Sequence, residues 1–227
     1  MKEPPPATNY KFSFAALLAF FCVLVLSSCS EDRVNILSLN SNLILDWQDD
    51  ESLPEQRLCV FAELSSNARR LESLIVKRDG YVWNIDSPIL IQSGDRQWAG
   101  SPHLEPPVGL NGAAGSFAPG DYFVECVDAA GEKAQGSFFV AYDKSLLDSF
   151  AKDLPQKIPA VKERLAVYSE SNELLYFDER KESWFDDEAV FKGVKNSSYY
   201  RKTRMSGNLL CFEPKIFKDG EKPDELE

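Results

Sequence analysis

The chain carries one histidine, His103, in 227 residues, which excludes any site built on two imidazoles. It has no H-E-x-x-H and no C-x-x-C, so the ligand spacings of zinc hydrolases and of thioredoxin-like dithiols are missing. No G-x-S-x-G elbow surrounds a serine, and no glycine-rich phosphate loop precedes a helical pattern. The densest basic run, Arg201-Lys202-Thr203-Arg204, is too short to track a phosphate backbone. Glycine and proline number 12 and 13, which excludes a collagen-like or low-complexity chain. What is present is a globular composition, 44% hydrophobic and 27% charged, with a net charge of −11. The length allows one large domain or two small ones. Nothing in it calls for a cofactor or a metal.

The longest strongly apolar run is Phe12 to Leu26, fifteen residues without a charge. That is short of the ~20 residues a membrane-spanning helix needs. It fits the apolar core of a secretory signal, with Lys2 and Lys11 before it. An ordinary cleaved signal and an uncleaved anchor helix are alternative readings of these residues. The run ends in Leu26-Ser27-Ser28-Cys29, which resembles the lipobox of bacterial lipoproteins: an aliphatic residue, two small ones, then Cys. The small side chains suit an extended chain entering a peptidase cleft, and the thiol accepts a diacylglyceryl group. The resemblance implies cleavage between Ser28 and Cys29 and lipid, palmitate among it, on Cys29. Several acyl chains, at ~0.8 kcal/mol per buried CH₂, anchor a domain stably. It also implies a lipid-anchored, extracytoplasmic protein of the bacterial cell envelope. In enteric lipoproteins an Asp after the Cys retains the protein at the inner membrane. Ser30 stands here, so the outer membrane is favoured.

Two of the 25 basic and one of the 36 acidic residues fall in residues 1–28, leaving the remainder at −12. Such a chain is repelled by nucleic acid and by anionic lipid surfaces, and no nucleic-acid partner is expected. Besides Cys29 the processed chain has Cys59, Cys126 and Cys211, an odd number that permits at most one internal bridge.

From Val34 onward the pattern is that of strands. Apolar or alternating runs occur at 43–47, 57–63, 74–77, 81–85 and 89–91, and Asp79-Gly80 between two of them signals a hairpin. Residues 92–120 hold six glycines and four prolines and predict a long irregular connection, with 92–116 the most mobile part of the first domain or the part that orders on binding. Pro119-Gly120-Asp121-Tyr122, the alternation to Val127, the turn at 128–131 and the return to Val140 resemble the last hairpin of bacterial immunoglobulin-like or fibronectin-like sandwiches. That resemblance implies architecture and no activity. The order Cys59, Trp83, Cys126 is similar to that of antibody-type domains. However, Tyr122 lies four residues before Cys126 rather than two, and Cys59 shares strand parity with Arg57 and Glu63. Both speak against a core Cys59–Cys126 bridge.

Residues 143–154 have helical apolar spacing behind Asp143, and Pro155 is expected to end that helix. Short aromatic-rich runs at 165–168, 174–177, 183–185, 189–192, 198–201 and 209–212 read as a β-meander. The expected fold is therefore mainly β. A signal peptide (1–28) and lipidated stub (29–33) precede an immunoglobulin-like β-sandwich (34–142). A helix and linker (143–159), a smaller β-rich domain (160–217) and a charged tail (218–227) follow.

For function, the carboxylates at 49–51, 178–179 and 186–188 sit in apparent turns, where solvation keeps them ordinary. A hydrolase acting on a glycan or cell-wall substrate would need two of them across a cleft, one with a raised pKa. Aromatics are the other lead. Adjacent rings in Trp184-Phe185, Tyr199-Tyr200 and Tyr176-Phe177 point to opposite strand faces, so one of each pair can be exposed to a partner. Trp98, Trp184 and Tyr199 are the candidate contact residues. Trp98 either folds back to plug the end of the sandwich or stays partly exposed. The expectation is a non-catalytic, lipid-anchored protein that binds or scaffolds an envelope protein or glycan, with the carboxylate hydrolase as the alternative.

Overall fold

A computed structural model describes residues 34–65, 70–108, 115–159 and 163–218. The lipobox lies outside them. β1 (Ile36–Asp46) and β2 (Glu55–Leu64) pair antiparallel, and the inward residues Leu43, Leu45, Leu58, Val60 and Ala62 are buried. β3 (Leu71–Arg78) and β4 (Tyr81–Ile85) form the hairpin expected from Asp79-Gly80. Asp79 and Gly80 have φ of 44° and 85°, the two left-handed residues of a tight turn that matches strand twist. β5 (Ile89–Ser93) and β6 (Arg96–Leu104) form a second hairpin, and β7 (Gly120–Asp128) and β8 (Lys133–Val140) a third. After two 3₁₀ turns come α1 (Leu154–Lys157), β9 (Arg164–Tyr168), β10 (Leu174–Glu179), α2 (Asp187–Gly193), β11 (Tyr199–Ser206) and β12 (Leu209–Phe217).

The strands make two sheets. One has the order β4-β3-β7-β8 and the other β10-β9-β11-β12-β1-β2-β6-β5. β12 pairs parallel with β1, Leu43 opposite Leu209 and Leu45 opposite Cys211, so β9–β12 extend the sheet that β1 and β2 begin. The main core lies between the sheets. Leu43, Leu45, Leu58 and Val60 share it with Leu74, Val76, Tyr122, Val124 and Cys126. Trp47, fully buried there, donates its indole N–H to Ser149 O at 2.8 Å and so fixes the segment after β8. A second cluster forms where Val190, Phe191 and Trp184 pack on Leu165, Val167 and Tyr200. Ile44, Ala166 and Phe212 make a third, with Ile44 facing away from Leu43 and Leu45 by strand alternation.

Several local expectations are corrected. The irregular connection over 92–120 contains β6, nine residues long. Its Gly and Pro mark close packing and a bulge rather than a loop. A Cβ at Gly100 would lie 2.0 Å from Val60 O and 2.8 Å from the Phe61 ring. Pro102 falls where the β2–β6 register shifts between Leu58 and Val60. The continuous helix over 143–154 is instead two 3₁₀ turns, Lys144–Leu146 and Ala151–Asp153. Asp143 does cap the first, accepting from Ser145 N, but Trp47 claims the Ser149 carbonyl. Pro155 sits in the first turn of α1 and opens a helix rather than closing one. The run at 189–192 is helical. Asp186 caps α2 by accepting from Ala189 N at 2.7 Å, Asp187 and Glu188 occupy its first turn, and Lys192 meets Glu188 at 2.7 Å.

Candidate functional site

Cys29 and Ser28, the proposed lipidation and cleavage positions, lie outside the described residues. Of the three candidate contact rings, Trp98 is half-buried on β6, directly between Glu63 of β2 and Ile91 of β5. Trp184 and Tyr199 are corrected: they are only 4% and 7% exposed. Trp184 is core because the chain turns into α2 there instead of running as a strand, and Tyr176 packs against it edge-on at 4.9 Å. Tyr199 is closed in by Tyr168, stacked at 4.9 Å, and by Phe217 at 5.7 Å. The exposed member of the Trp184-Phe185 pair is Phe185, at 82%.

The structure brings Trp98 beside a feature whose importance sequence reasoning missed. β5 ends the eight-stranded sheet, and each of its five residues is exposed. Ile89 and Ile91 project to one face and Leu90 to the other, opposite Gly100, Trp98 and Ala99 of β6. No register shift interrupts the β5–β6 pairing, and the strand itself holds neither charge nor proline. Proteins usually blunt an edge strand with one of those devices, because its outward N–H and C=O groups can template another strand. Asp86 and Arg96, both exposed, flank it. The signal was the run Ile89-Leu90-Ile91 itself. Its three aliphatics mark a short strand, and only the sheet order shows that this strand is an edge.

The carboxylate groups are occupied by local work. Asp49 accepts from Glu51 N at 2.9 Å, Asp187 accepts from the Tyr200 hydroxyl at 2.6 Å, and Asp186 and Glu188 serve α2. Among the described residues no three His, Cys, Asp or Glu gather as a cation site would require. His103 is exposed, its own N–H and C=O both meeting Ser101 Oγ. A carboxylate that the sequence did not single out is Glu125, on β7. Only 7% exposed, it accepts from Lys133 at 3.0 Å and Gln135 at 3.0 Å, with Lys77 at 3.5 Å. The Lys133 and Gln135 hydrogen bonds hold its pKa down at about 2.

All three described thiols are free. Cys126 and Cys211 are buried, and desolvation pushes each up to about 12, so neither offers a thiolate. Arg201 is the buried cation among the described residues, beside the buried carboxylates Glu125 and Asp128. Its guanidinium reaches Asp46 Oδ1 at 2.5 Å, Trp47 O at 2.8 Å and Glu213 O at 2.7 Å.

No family model matches the chain, and no curated protein matches it in sequence.

Proposed function

We propose that this is a lipid-anchored envelope protein without catalytic activity, which holds another envelope component through the β5 edge. The lipobox supports the anchor: lipid on Cys29, an extracytoplasmic domain and, from Ser30, the outer membrane. The observation that carries the binding role is the open edge of β5, with Ile89, Leu90 and Ile91 between 46% and 50% exposed and Trp98 alongside. An extended segment of a partner protein can add to such an edge, its backbone supplying affinity and its alternate side chains covering Ile89 and Ile91 on one face and Leu90 on the other.

The finer fold belongs to the same proposal. We read residues 34–142 as an immunoglobulin-like sandwich and 160–217 as a smaller β-rich addition to it. The strand orders β1-β2-β6-β5 and β4-β3-β7-β8 support this, since they follow the A-B-E-D and C′-C-F-G arrangement of such domains. Tyr122 at the start of β7 donates its hydroxyl to Ala118 O at 3.0 Å, in the manner of a tyrosine corner.

Co-purification from detergent-solubilised membranes tests the function. The expected result is a stoichiometric protein partner that is retained by the unaltered chain and lost on Ile91→Lys, a change on an exposed strand that leaves the melting temperature unchanged. Retention of the same partner by Ile91→Lys would overturn the β5 assignment. Turnover of a cell-wall or glycan substrate, lost on changing single carboxylates, would overturn the non-catalytic reading.

A further inference from the structure

Phe185 is the most exposed large hydrophobic side chain among the described residues, at 82%. It is not on a loose loop. Trp184, the residue before it, is buried, its N–H bonds to Lys181 O at 2.9 Å, and its carbonyl accepts from Arg180 Nε. Its indole also lies against α2 so closely that a Cβ on Gly193 would come within 2.1 Å of it. Asp186, the residue after, is fixed as the cap of α2. Both neighbours are pinned, and the ring between them stands in solvent. The fixed backbone presents the ring at one place on the surface, so contact there orders only its side-chain torsions and not a loop.

Two depressions flank the ring. One, of about 780 Å³, is bounded by Glu163, Glu179, Arg180, Lys181 and Glu182. The other, of about 360 Å³, is bounded by Ser183, Asp186, Glu188 and Lys192. Three carboxylates face two cations in the first and two face one in the second, so neither side carries the net positive charge a polyanion needs. Beyond Phe185 the apolar lining is Trp184 in both and Ala189 in the second, too small an area for an acyl chain. What the place offers is one flat apolar ring bordered by many donors and acceptors of both signs. A pyranose has the matching chemistry: a C–H face that stacks on an aromatic ring, and hydroxyls around its rim. Depressions on both sides of the ring suit a chain of several sugars.

We infer that Phe185 and its flanking depressions form a binding site for a neutral oligosaccharide. The site is independent of the β5 edge, and variants of one leave the other intact.

The test is saturation-transfer NMR on the full chain in a detergent without a sugar headgroup. The probes are the tetramers of β-1,4-linked N-acetylglucosamine and of α-1,4-linked glucose at millimolar concentration. The expected result is transfer to the sugar C–H protons of at least one probe. It is lost in Phe185→Ala, kept in Phe185→Trp and unaffected by Phe123→Ala, with all three variants melting near the unaltered protein. No transfer from either probe, or equal transfer in Phe185→Ala, overturns the proposal. So does loss of a co-purifying protein in Phe185→Ala with sugar binding unchanged, which would make the ring a protein contact.

Discussion

Replacing Arg201 with Met tests how the two halves of the long sheet are held together. Arg201 lies on β11 and Asp46 at the end of β1, and their side chains are 7% and 15% exposed. Methionine fills similar volume but donates nothing. The Asp46 carboxylate then keeps only the neutral donor Gln48 at 3.3 Å and Arg57, 4.0 Å away, and the carbonyls of Trp47 and Glu213 lose a donor. Breaking a buried pair from one side costs roughly 3–5 kcal/mol, because the remaining charge stays desolvated. In a unit of this size ~1 kcal/mol moves the melting temperature by about 2–4 °C, so Arg201→Met should melt about 6–20 °C lower. Thermal unfolding followed by circular dichroism measures this, and the account expects a single cooperative transition in both proteins. Arg201→Met combined with Asp46→Leu should recover part of the loss, since an apolar pair removes the stranded charge. A loss under about 1 kcal/mol, the range of exposed ion pairs, would refute the reasoning. So would a separate early transition assignable to β9–β12.

Glu125 predicts a pH dependence. Its folded pKa is depressed to about 2 from an ordinary carboxylate value near 4.5, so its stabilising contribution is complete above about 4.5 and is lost as the pH falls towards 2. Urea titrations across that window should show the unaltered protein losing stability more steeply than Glu125→Gln; equal slopes would contradict the assignment. Cys126 and Cys211 should resist iodoacetamide at pH 8 in the folded protein and react after denaturation, as read by mass spectrometry; rapid native labelling of either would show that it is not buried as described. Gly100→Ala should destabilise by more than the ~1–3 kcal/mol of ordinary overpacking, because the atom it meets at 2.0 Å is backbone and cannot swing aside. A neutral result in chemical denaturation would mean that β2 and β6 approach less closely.

Local chemistry was legible in the sequence, and long-range pairing was not. Asp79-Gly80 specifies its hairpin through two left-handed residues, and Asp143 finds its cap, because each depends on neighbours along the chain. β6 was hidden because Gly100 and Pro102 are the usual marks of a loop. Here the glycine admits Phe61 and the proline sits at a register shift. α2 was mistaken for a strand because seven residues with Val190 and Phe191 fit either period, although Asp186, Asp187 and Glu188 ahead of Lys192 are ordinary helix-start and helix-end residues. The parallel β1–β12 pair joins residues more than 160 apart and leaves no local trace. The same limit governs the sites. Trp184 and Tyr199 carry the composition of contact residues, but α2 and the Tyr168 ring decide that they are interior. Ile89-Leu90-Ile91 carries the composition of a core strand, and its place at the end of the sheet decides that it is surface.

Metabolic labelling with a fatty-acid analogue tests the central claim, the lipid anchor at Cys29, most directly. The account predicts that the unaltered chain is labelled and shortened by residues 1–28. The Cys29→Ala chain is predicted to be unlabelled and to keep its leader. Label on Cys29→Ala, or an unlabelled but processed wild-type chain, would contradict it.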